Sequence, residues 1–263
     1  MNTAINIEKA AALSGLADTR LYRQFSYING CWTGAADGAV VPVTDPADGS
    51  LVGEVSNLSA AESQIAIDAA AAAFPAWSGL LPQQRSEILR RWYDLIVAHK
   101  EDLAHIMTLE QGKPVSESRG EIDYGASFVE FYAEEAKRPN IESVTSHLPD
   151  AEVEVWLEPV GVAALVTPWN FPNAMITRKA AAALAAGCTT IVHPSHETPI
   201  SALALAELAA PAGYPAGVFY SVTGRASTIV PVRMEDPLFR PLLLTGDTYT
   251  RTLPYPPLAA TST

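Results

Sequence analysis

The chain has 263 residues, 48% of them hydrophobic, which allows a substantial core and argues against disorder over most of its length. Its formal net charge of −12 argues against nucleic acid or an anionic membrane surface as a partner. The length is that of one large domain or two modest ones.

The cysteine content and the N-terminus bear on where the protein works. Two cysteines, Cys31 and Cys188, provide no disulfide framework, so a reducing compartment is expected. The N-terminus has no signal-peptide pattern, and no apolar run approaches the roughly 20 residues of a membrane span. We therefore expect a cytoplasmic protein with no membrane partner.

The first part of the chain reads as a leader followed by hairpins and helices. Residues 1–20 are predicted to be a loose leader. Asp37-Gly38 and Asp48-Gly49 indicate tight turns between short strands, because glycine readily adopts positive φ. Ser59 and Glu62 have capping-box spacing, which predicts a helix that ends near Pro75.

Three more helices are predicted before residue 138. Pro82 opens the second, the third covers about 100–110, and the fourth runs from about 116 to 137. The buried stripe of the fourth helix is predicted to be Ile122, Ala126, Val129 and Ala133. None of these helices is assigned any chemistry.

The second half alternates apolar runs with alanine-rich stretches. Strands are predicted at 160–166, 189–192, 218–222 and about 240–244, with helices at 172–186 and 199–210. Such βαβ units predict a parallel sheet that binds ligands at the carboxyl ends of its strands. The turns at Trp169-Asn170 and at 193–196 should therefore lie on one rim, where function is expected. The proline-containing tail, 248–263, is predicted to be disordered.

Ordered motifs run through the chain, at 109–114 (Leu-Glu-Gln-Gly-Lys-Pro), 120–124 (Gly-Glu-Ile-Asp-Tyr), 131–138 (Phe-Tyr-Ala-Glu-Glu-Ala-Lys-Arg), 158–161 (Glu-Pro-Val-Gly), 168–172 (Pro-Trp-Asn-Phe-Pro), 175–179 (Met-Ile-Thr-Arg-Lys) and 185–189 (Ala-Ala-Gly-Cys-Thr). These motifs resemble the NAD(P)-dependent aldehyde dehydrogenase family, and most of all bacterial succinate-semialdehyde dehydrogenases. The likeness runs from about Gln24 to about Gly246.

The resemblance implies an α/β fold with a Rossmann-like parallel sheet and flanking helices. Residues 21–143 would form the hairpins and helices of the cofactor domain, and 159–247 its βαβ units. Residues 144–158 match part of the arm through which family subunits associate. The chain would be a truncated member that lacks the catalytic domain.

The resemblance also assigns roles to the first rim turn and the helix after it. Asn170 matches the asparagine that donates to the oxyanion formed when a thiolate attacks the aldehyde. Thr167, Pro168 and Trp169 match positions along the cofactor, and Arg178 matches an arginine that holds the distal carboxylate of the substrate. The alternatives are a turn-closing asparagine, a packing tryptophan and a solvated surface arginine.

The second rim turn departs from the family pattern. His193 stands where the family has a lysine that contacts the adenosine ribose or the NADP phosphate. It is followed by Pro194, Ser195 and His196, and His196 occupies a position that helps to select NAD or NADP. The cofactor is therefore expected to be NAD or NADP, bound weakly or not at all. A metal site made by the two histidines is a weak alternative, because a third ligand is lacking.

Two further departures concern the phosphate end of the cofactor. The family has Gly-Ser where this chain has Gly246 and Asp247, and a carboxylate there would repel phosphate. Gly224 matches a cofactor-contacting glycine, but Pro231 is expected to damage the helix that follows it, because proline inside a helix costs about 3 kcal/mol. Pro211 is a smaller defect of the same kind.

The lack of a matching catalytic nucleophile determines which function is predicted. The family's catalytic cysteine and glutamate match no residue of this chain, and a buried Cys188 would be inert. We predict an aldehyde dehydrogenase-like oxidoreductase of the succinate-semialdehyde type, inactive in this form, with an aldehyde and a nucleotide as ligands. The alternatives are a non-catalytic interaction protein, as a homo-oligomer or joined to a full-length relative, and a remnant without a stable fold.

Overall fold

The structure is a computed structural model, and it describes residues 15–138, 141–235 and 239–244. The predicted tail, most of the predicted leader, and Gly246 and Asp247 lie outside the described residues.

A six-stranded sheet organises the molecule. Its strands are β1 (Ser26–Ile28), β2 (Cys31–Thr33), β7 (Val162–Val166), β8 (Thr189–His193), β9 (Phe219–Ser221) and β10 (Phe239–Leu244), in the order β10-β7-β8-β9-β1-β2. Strands β10, β7, β8 and β9 run parallel, whereas the β1–β2 hairpin is antiparallel. The predicted α/β fold with a parallel sheet is thus confirmed.

The parallel strands are covered on both faces, which explains why they read as continuous apolar runs. Alternate residues of β7 point to opposite faces, so that Leu165 joins one hydrophobic cluster and Val162 the other. Helices α5 (Ala174–Ala186), α6 (Pro199–Glu207) and α7 (Ala209–Ala212) contribute to the Leu165 cluster, and α1 (Ala60–Ser78) and α8 (Ala226–Glu235) to the Val162 cluster. The small alanine side chains of α5 let it lie close to the sheet.

The remaining helices are α2 (Pro82–Ala98), α3 (Lys100–Gln111) and α4 (Val115–Glu135). The capping box of α1 forms as predicted between Ser59 and Glu62, and Gly112 ends α3 in the left-handed conformation with φ +82°. The predicted stripe of α4 is buried as expected; it consists of Ile122, Ala126, Val129 and Ala133.

Two small hairpins and a short 3-10 helix, Thr19–Leu21, complete the described fold. The first joins β3 (Val40–Thr44) to β4 (Leu51–Ser56), and its turn contains Gly49 at the predicted positive φ. The second joins β5 (Ile141–Val144) to β6 (Val153–Trp156), and every residue of β6 is exposed. In the part of the chain that the structure describes, no single helix is long and apolar enough to cross a membrane, and α1 with α2 reaches that length and composition only as a pair bent by 119°.

One predicted helix end, near Pro75, and one predicted helix defect, at Pro231, are wrong. Helix α1 continues through Pro75 to Ser78, and its last turn carries the fully buried Trp77. Helix α8 forms despite Pro231, because Ile229 and Val230 just before it are buried. In both places tertiary packing outweighs the local cost of proline.

We expect Pro231→Ala to raise the free energy of unfolding by about 1–3 kcal/mol, because proline in a helix interior removes a backbone hydrogen bond and clashes with the preceding turn. Denaturant unfolding measures the change. Pro211→Ala is the matched control, since Pro211 lies in the first turn of α7, where no backbone donor is needed. Equal effects of the two substitutions would contradict the prediction.

Candidate functional site

Three turns lie along the carboxyl end of the parallel sheet, and we call them the first, second and third rim turns. They follow β7 (167–173), β8 (194–198) and β9 (223–225). The strands end at the same level, because Val166 pairs with His193 and the Thr167 amide donates to the His193 carbonyl at 3.1 Å. The prediction that the turns at 169–170 and 193–196 share a rim is confirmed.

A pocket of about 400 Å³ opens between the first two rim turns and the β3 hairpin. Trp169, which is 48% exposed, and the exposed His196 both line it. The other lining residues are Pro42, Val43, Thr44, Pro46, Glu110, Gln111, Glu197 and Thr198. The pocket therefore joins two of the predicted site residues to a wall that sequence reasoning did not include.

Glu110 forms part of that missed wall. Its buried carboxylate accepts the amides of Ile200 and Ser201, each at 2.7 Å, and so caps the first turn of α6. Burial raises the pKa of Glu110 to about 7, although these hydrogen bonds act to lower it. The motif at 109–114 was visible in the sequence, but no local signal pointed to a helix 90 residues away.

This carboxyl makes stability depend on pH. Its pKa in the fold, about 7, lies above the ordinary value of 4.5, so its stabilising contribution is complete below pH 4.5 and lost as the pH rises through 7. We expect the stability advantage of the unmodified protein over Glu110→Gln to shrink by on the order of 3 kcal/mol between pH 4.5 and 8. Denaturant unfolding across this range measures the difference.

Glu197→Gln is the control for this prediction, because Glu197 lines the same pocket but is exposed. Its stability should stay close to that of the unmodified protein, as expected for an exposed surface substitution. A pH-independent stability difference between Glu110→Gln and the unmodified protein would contradict the prediction.

The first rim turn is fixed from outside by Lys113 and Glu121. The Lys113 ammonium donates to the Asn170 carbonyl at 3.0 Å and to Glu121 at 2.5 Å, and it lies 4.6 Å from the centre of the Phe171 ring. The other oxygen of Glu121 accepts the amides of Asn173 and Ala174, at 2.9 and 3.1 Å. The backbone around Asn170 is thus held at both ends, while the Asn170 side chain is exposed.

Arg178 and Lys179 follow on α5. The exposed Arg178 guanidinium lies 5.7 Å from the centre of the Phe128 ring on α4. The Lys179 ammonium donates to the Val166 carbonyl at 2.9 Å, at the end of β7. Burial, together with the neighbouring Arg178 charge, lowers the pKa of Lys179 to about 8. The sequence reading had assigned a role to Arg178 alone.

The predicted site residues on and just before the second rim turn differ in their exposure. His193 is only 2% exposed, and its Nδ1 lies 3.1 Å from the carbonyl of Val222, the residue that follows β9. Pro194 is buried, and the half-buried Ser195 accepts the Glu197 amide at 3.4 Å. Of these predicted residues, His196 is the one that lines the pocket. Within the described ranges, no group of three or more metal-ligating side chains comes together.

Gly224 lies on the third rim turn. A Cβ there would lie 2.5 Å from the Ile229 side chain and 3.2 Å from the Leu58 backbone, so the position requires glycine.

Neither cysteine lies on a rim turn. Cys188 is buried, which raises its pKa, and Cys31 is exposed on β2, the edge strand next to β1.

A sequence profile described as "Aldehyde dehydrogenase family" matches residues 32–253. The chain belongs to the aldehyde dehydrogenase family. It is 54% identical to an aspartate-semialdehyde dehydrogenase (non-phosphorylating) of Halomonas elongata, over 89% of this chain and 47% of that protein. Identity to a succinate-semialdehyde dehydrogenase [NADP(+)] of Escherichia coli is 51%, over 89% of this chain and 48% of that protein.

Solved structures agree with this family membership. The crystal structure of succinate-semialdehyde dehydrogenase from Burkholderia pseudomallei matches with a TM-score of 0.88 and 45% identity, over 90% of this chain and 49% of that one. This aldehyde dehydrogenase chain spans about half the length of the curated relatives it matches.

Proposed function

We propose that the three rim turns belong to the nucleotide-binding part of an NAD(P)-dependent semialdehyde dehydrogenase. Such an enzyme is an oxidoreductase that converts an aldehyde with a distal carboxylate to the acid. The observation that carries the proposal is the pocket at the carboxyl ends of β7 and β8, which Trp169 and His196 both line. The printed names of the two relatives support the substrate class, because each describes a semialdehyde of a dicarboxylic acid.

The polar atoms of the rim fit a nucleotide. Among the described residues, the buried hydroxyls of Thr167 and Thr198 have no hydrogen-bond partner; Thr167 lies on the first rim turn, and Thr198 lies on the second and lines the pocket. A ribose or phosphate oxygen would supply such a partner. A bound nicotinamide nucleotide would supply the acceptor for a hydride from the substrate carbon. NAD and NADP are both candidates.

The chain's own residues take the following roles in this proposal. The first rim turn (Thr167, Pro168 and Trp169) lies along the nucleotide. The Asn170 amide donates to the oxyanion, and the Arg178 guanidinium pairs with the distal carboxylate. The next two rim turns contribute His193, Pro194, Ser195, His196 and Gly224 to the nucleotide site. Gly246 and Asp247 are proposed to lie near the phosphates, where the Asp247 carboxylate weakens binding.

Thermal unfolding with and without millimolar NAD or NADP tests nucleotide binding. A ligand at 100 times its dissociation constant stabilises the native state by about 2.7 kcal/mol, which gives a measurable rise in the unfolding temperature. His196→Ala should reduce that rise, whereas Glu117→Ala, an exposed substitution on α4, should leave it unchanged. A cooperative transition whose temperature is the same with and without either nucleotide would contradict the proposal.

The chain on its own is not expected to oxidise aldehyde, because a rim thiolate is needed and neither Cys31 nor Cys188 lies on a rim turn. Incubation with succinate semialdehyde and either nucleotide should produce no reduced nucleotide above the blank. Steady reduction by the purified chain would overturn this expectation.

A second candidate function, non-catalytic association, is favoured by the β5–β6 hairpin. Trp156 and Leu157 are 62% and 72% exposed, and Val155 is 44% exposed. Val155 and Leu157 alternate with Trp156 along the chain, so exposed apolar side chains lie on both faces of the hairpin. A two-stranded hairpin with apolar side chains exposed in this way gains stability by packing against another surface. The partner proposed is a second copy of this chain or a full-length relative.

Light scattering during size-exclusion chromatography tests association. Val155→Glu should shift the chain towards monomer, because a charge would be buried in the interface. Val40→Glu is the matched control, since Val40 is 47% exposed on the other hairpin. A species of the same mass for both variants and the unmodified chain would argue against the hairpin as the interface.

A further inference from the structure

Three buried hydroxyl groups meet behind the third rim turn, and we call Ser26, Ser56 and Thr223 the hydroxyl cluster. Each is at most 1% exposed. The oxygen of Thr223 lies 2.9 Å from that of Ser26 and 2.9 Å from that of Ser56, and the two serine oxygens are 3.1 Å apart. The cluster joins β1, the end of β4 and the turn after β9, which are up to 197 residues apart in sequence.

The protons of the cluster have a defined direction. Thr223 Oγ1 donates to the Ser56 carbonyl at 2.6 Å, because a carbonyl oxygen can only accept. Ser26 Oγ accepts the Thr223 amide at 3.0 Å, and Ser56 Oγ accepts the Ser26 amide at 3.0 Å. Thr223 is therefore bound through both its backbone and its side chain, and it offers its oxygen to the two serine hydroxyls.

The same stretch of chain after β4 holds the rest of the turn. The Leu58 amide donates to the Thr223 carbonyl at 3.2 Å, and the Arg225 amide donates to Asn57 Oδ1 at 3.2 Å. Gly224, between them, lies so close to the Leu58 backbone that a Cβ would be only 3.2 Å from it. The turn has little freedom to move as long as the cluster is intact.

We propose that the hydroxyl cluster is a positioning device that holds the third rim turn, 223–225, in the place from which it receives the nucleotide. The inference rests on the proposed function, since the nucleotide is the ligand of that rim. The turn is continuous with β9 on one side and with α8 on the other. The cluster and the Asn57 and Leu58 contacts attach it to a third segment, the chain that follows β4, so that its backbone is ordered before the ligand arrives.

The test compares Thr223→Val with Thr223→Ser and Thr190→Val. Valine keeps the shape of threonine and removes the hydroxyl, whereas serine keeps the hydroxyl. Thr190 is a matched control, because it is equally buried and its hydroxyl donates to the Val218 carbonyl at 3.4 Å, within the sheet. The readouts are hydrogen exchange at the amides of Leu58, Thr223 and Arg225, and the dissociation constant of NAD or NADP well below the unfolding temperature.

We expect Thr223→Val to speed exchange at these amides and to weaken nucleotide binding, each about tenfold, since about one buried hydrogen bond is lost. Thr223→Ser should keep the exchange rates of these amides and the dissociation constant of the nucleotide close to those of the unmodified chain. Thr190→Val should change neither the exchange of these three amides nor the dissociation constant. Equal exchange in the two valine variants, or unchanged affinity in Thr223→Val, would overturn the proposal.

Ser26→Ala is the second variant that weakens the cluster, because it removes the acceptor of the Thr223 amide. It is used if Thr223→Val does not fold. If the unmodified chain binds neither nucleotide, the proposed function fails, while the exchange comparison still decides whether the cluster holds the turn.

Discussion

Replacing Glu121 with alanine is expected to lower the free energy of unfolding by about 3–5 kcal/mol, because it breaks a buried ion pair and leaves one partner behind. The Glu121 carboxylate is 2% exposed and the Lys113 side chain 11% exposed, so water cannot readily replace the lost partner. The amides of Asn173 and Ala174 lose their acceptor in the same substitution. Denaturant unfolding measures the loss.

Asp123→Ala is the matched control for Glu121→Ala. Asp123 lies on the same helix and pairs with Lys100 at 2.5 Å, but it is 58% exposed. Exposed pairs contribute about 0–1 kcal/mol, so the control should be close to the unmodified protein. Lys113→Met combined with Glu121→Ala should cost less than the sum of the single changes, because no charge remains unpaired. Similar losses for Glu121→Ala and Asp123→Ala would contradict the prediction that the buried pair contributes more to the free energy of unfolding than the exposed pair.

Replacing Trp92 with alanine is the other large effect, with an expected loss of about 3–5 kcal/mol in the free energy of unfolding. Trp92 is fully buried, and its ring centre lies 5.7 Å from that of Tyr214 and 5.4 Å from that of Phe219. Its indole N–H also donates to the Leu205 carbonyl at 3.3 Å. The indole therefore connects α2 to α6 and to the sheet, and its removal leaves a cavity lined by aromatic rings.

Thermal and denaturant unfolding of Trp92→Ala should give the same loss. Trp169→Ala, measured without nucleotide, is the control of the same residue type, because Trp169 is 48% exposed and creates no cavity. We expect that control to lose less than about 1 kcal/mol. A Trp92→Ala protein as stable as the control would mean that the core closes over the cavity.

Much of the fold was predictable because its signals are local. The Ser59–Glu62 capping box, the glycine that ends α3 and the alternation of apolar runs with alanine-rich helices each act over a few residues. The shared rim also followed from the sequence, because parallel βαβ strands end at the same edge. Trp169 and His196 were expected on one rim for that reason, and they line one pocket.

The failed predictions have a common physical cause. The first helix was predicted to end near Pro75, and Pro231 was predicted to damage α8, but buried neighbours hold both helices together. Local propensity is a weak guide where packing supplies more free energy than the propensity costs. His193 is a separate case, because its ring is buried beside the Val222 carbonyl and its role in nucleotide binding stays a prediction.

The amino-acid sequence thus specified the family, the class of fold, the order of strands and helices along the chain, and the rim on which ligands are expected. The tertiary structure alone decided which groups support that rim. Glu110 caps a helix 90 residues away, Glu121 caps one 52 residues away, and Ser26 meets Thr223 across 197 residues. Contacts of this range have no sequence signal, because a carboxylate or a hydroxyl acquires its partner only when packing has excluded water and brought distant segments together.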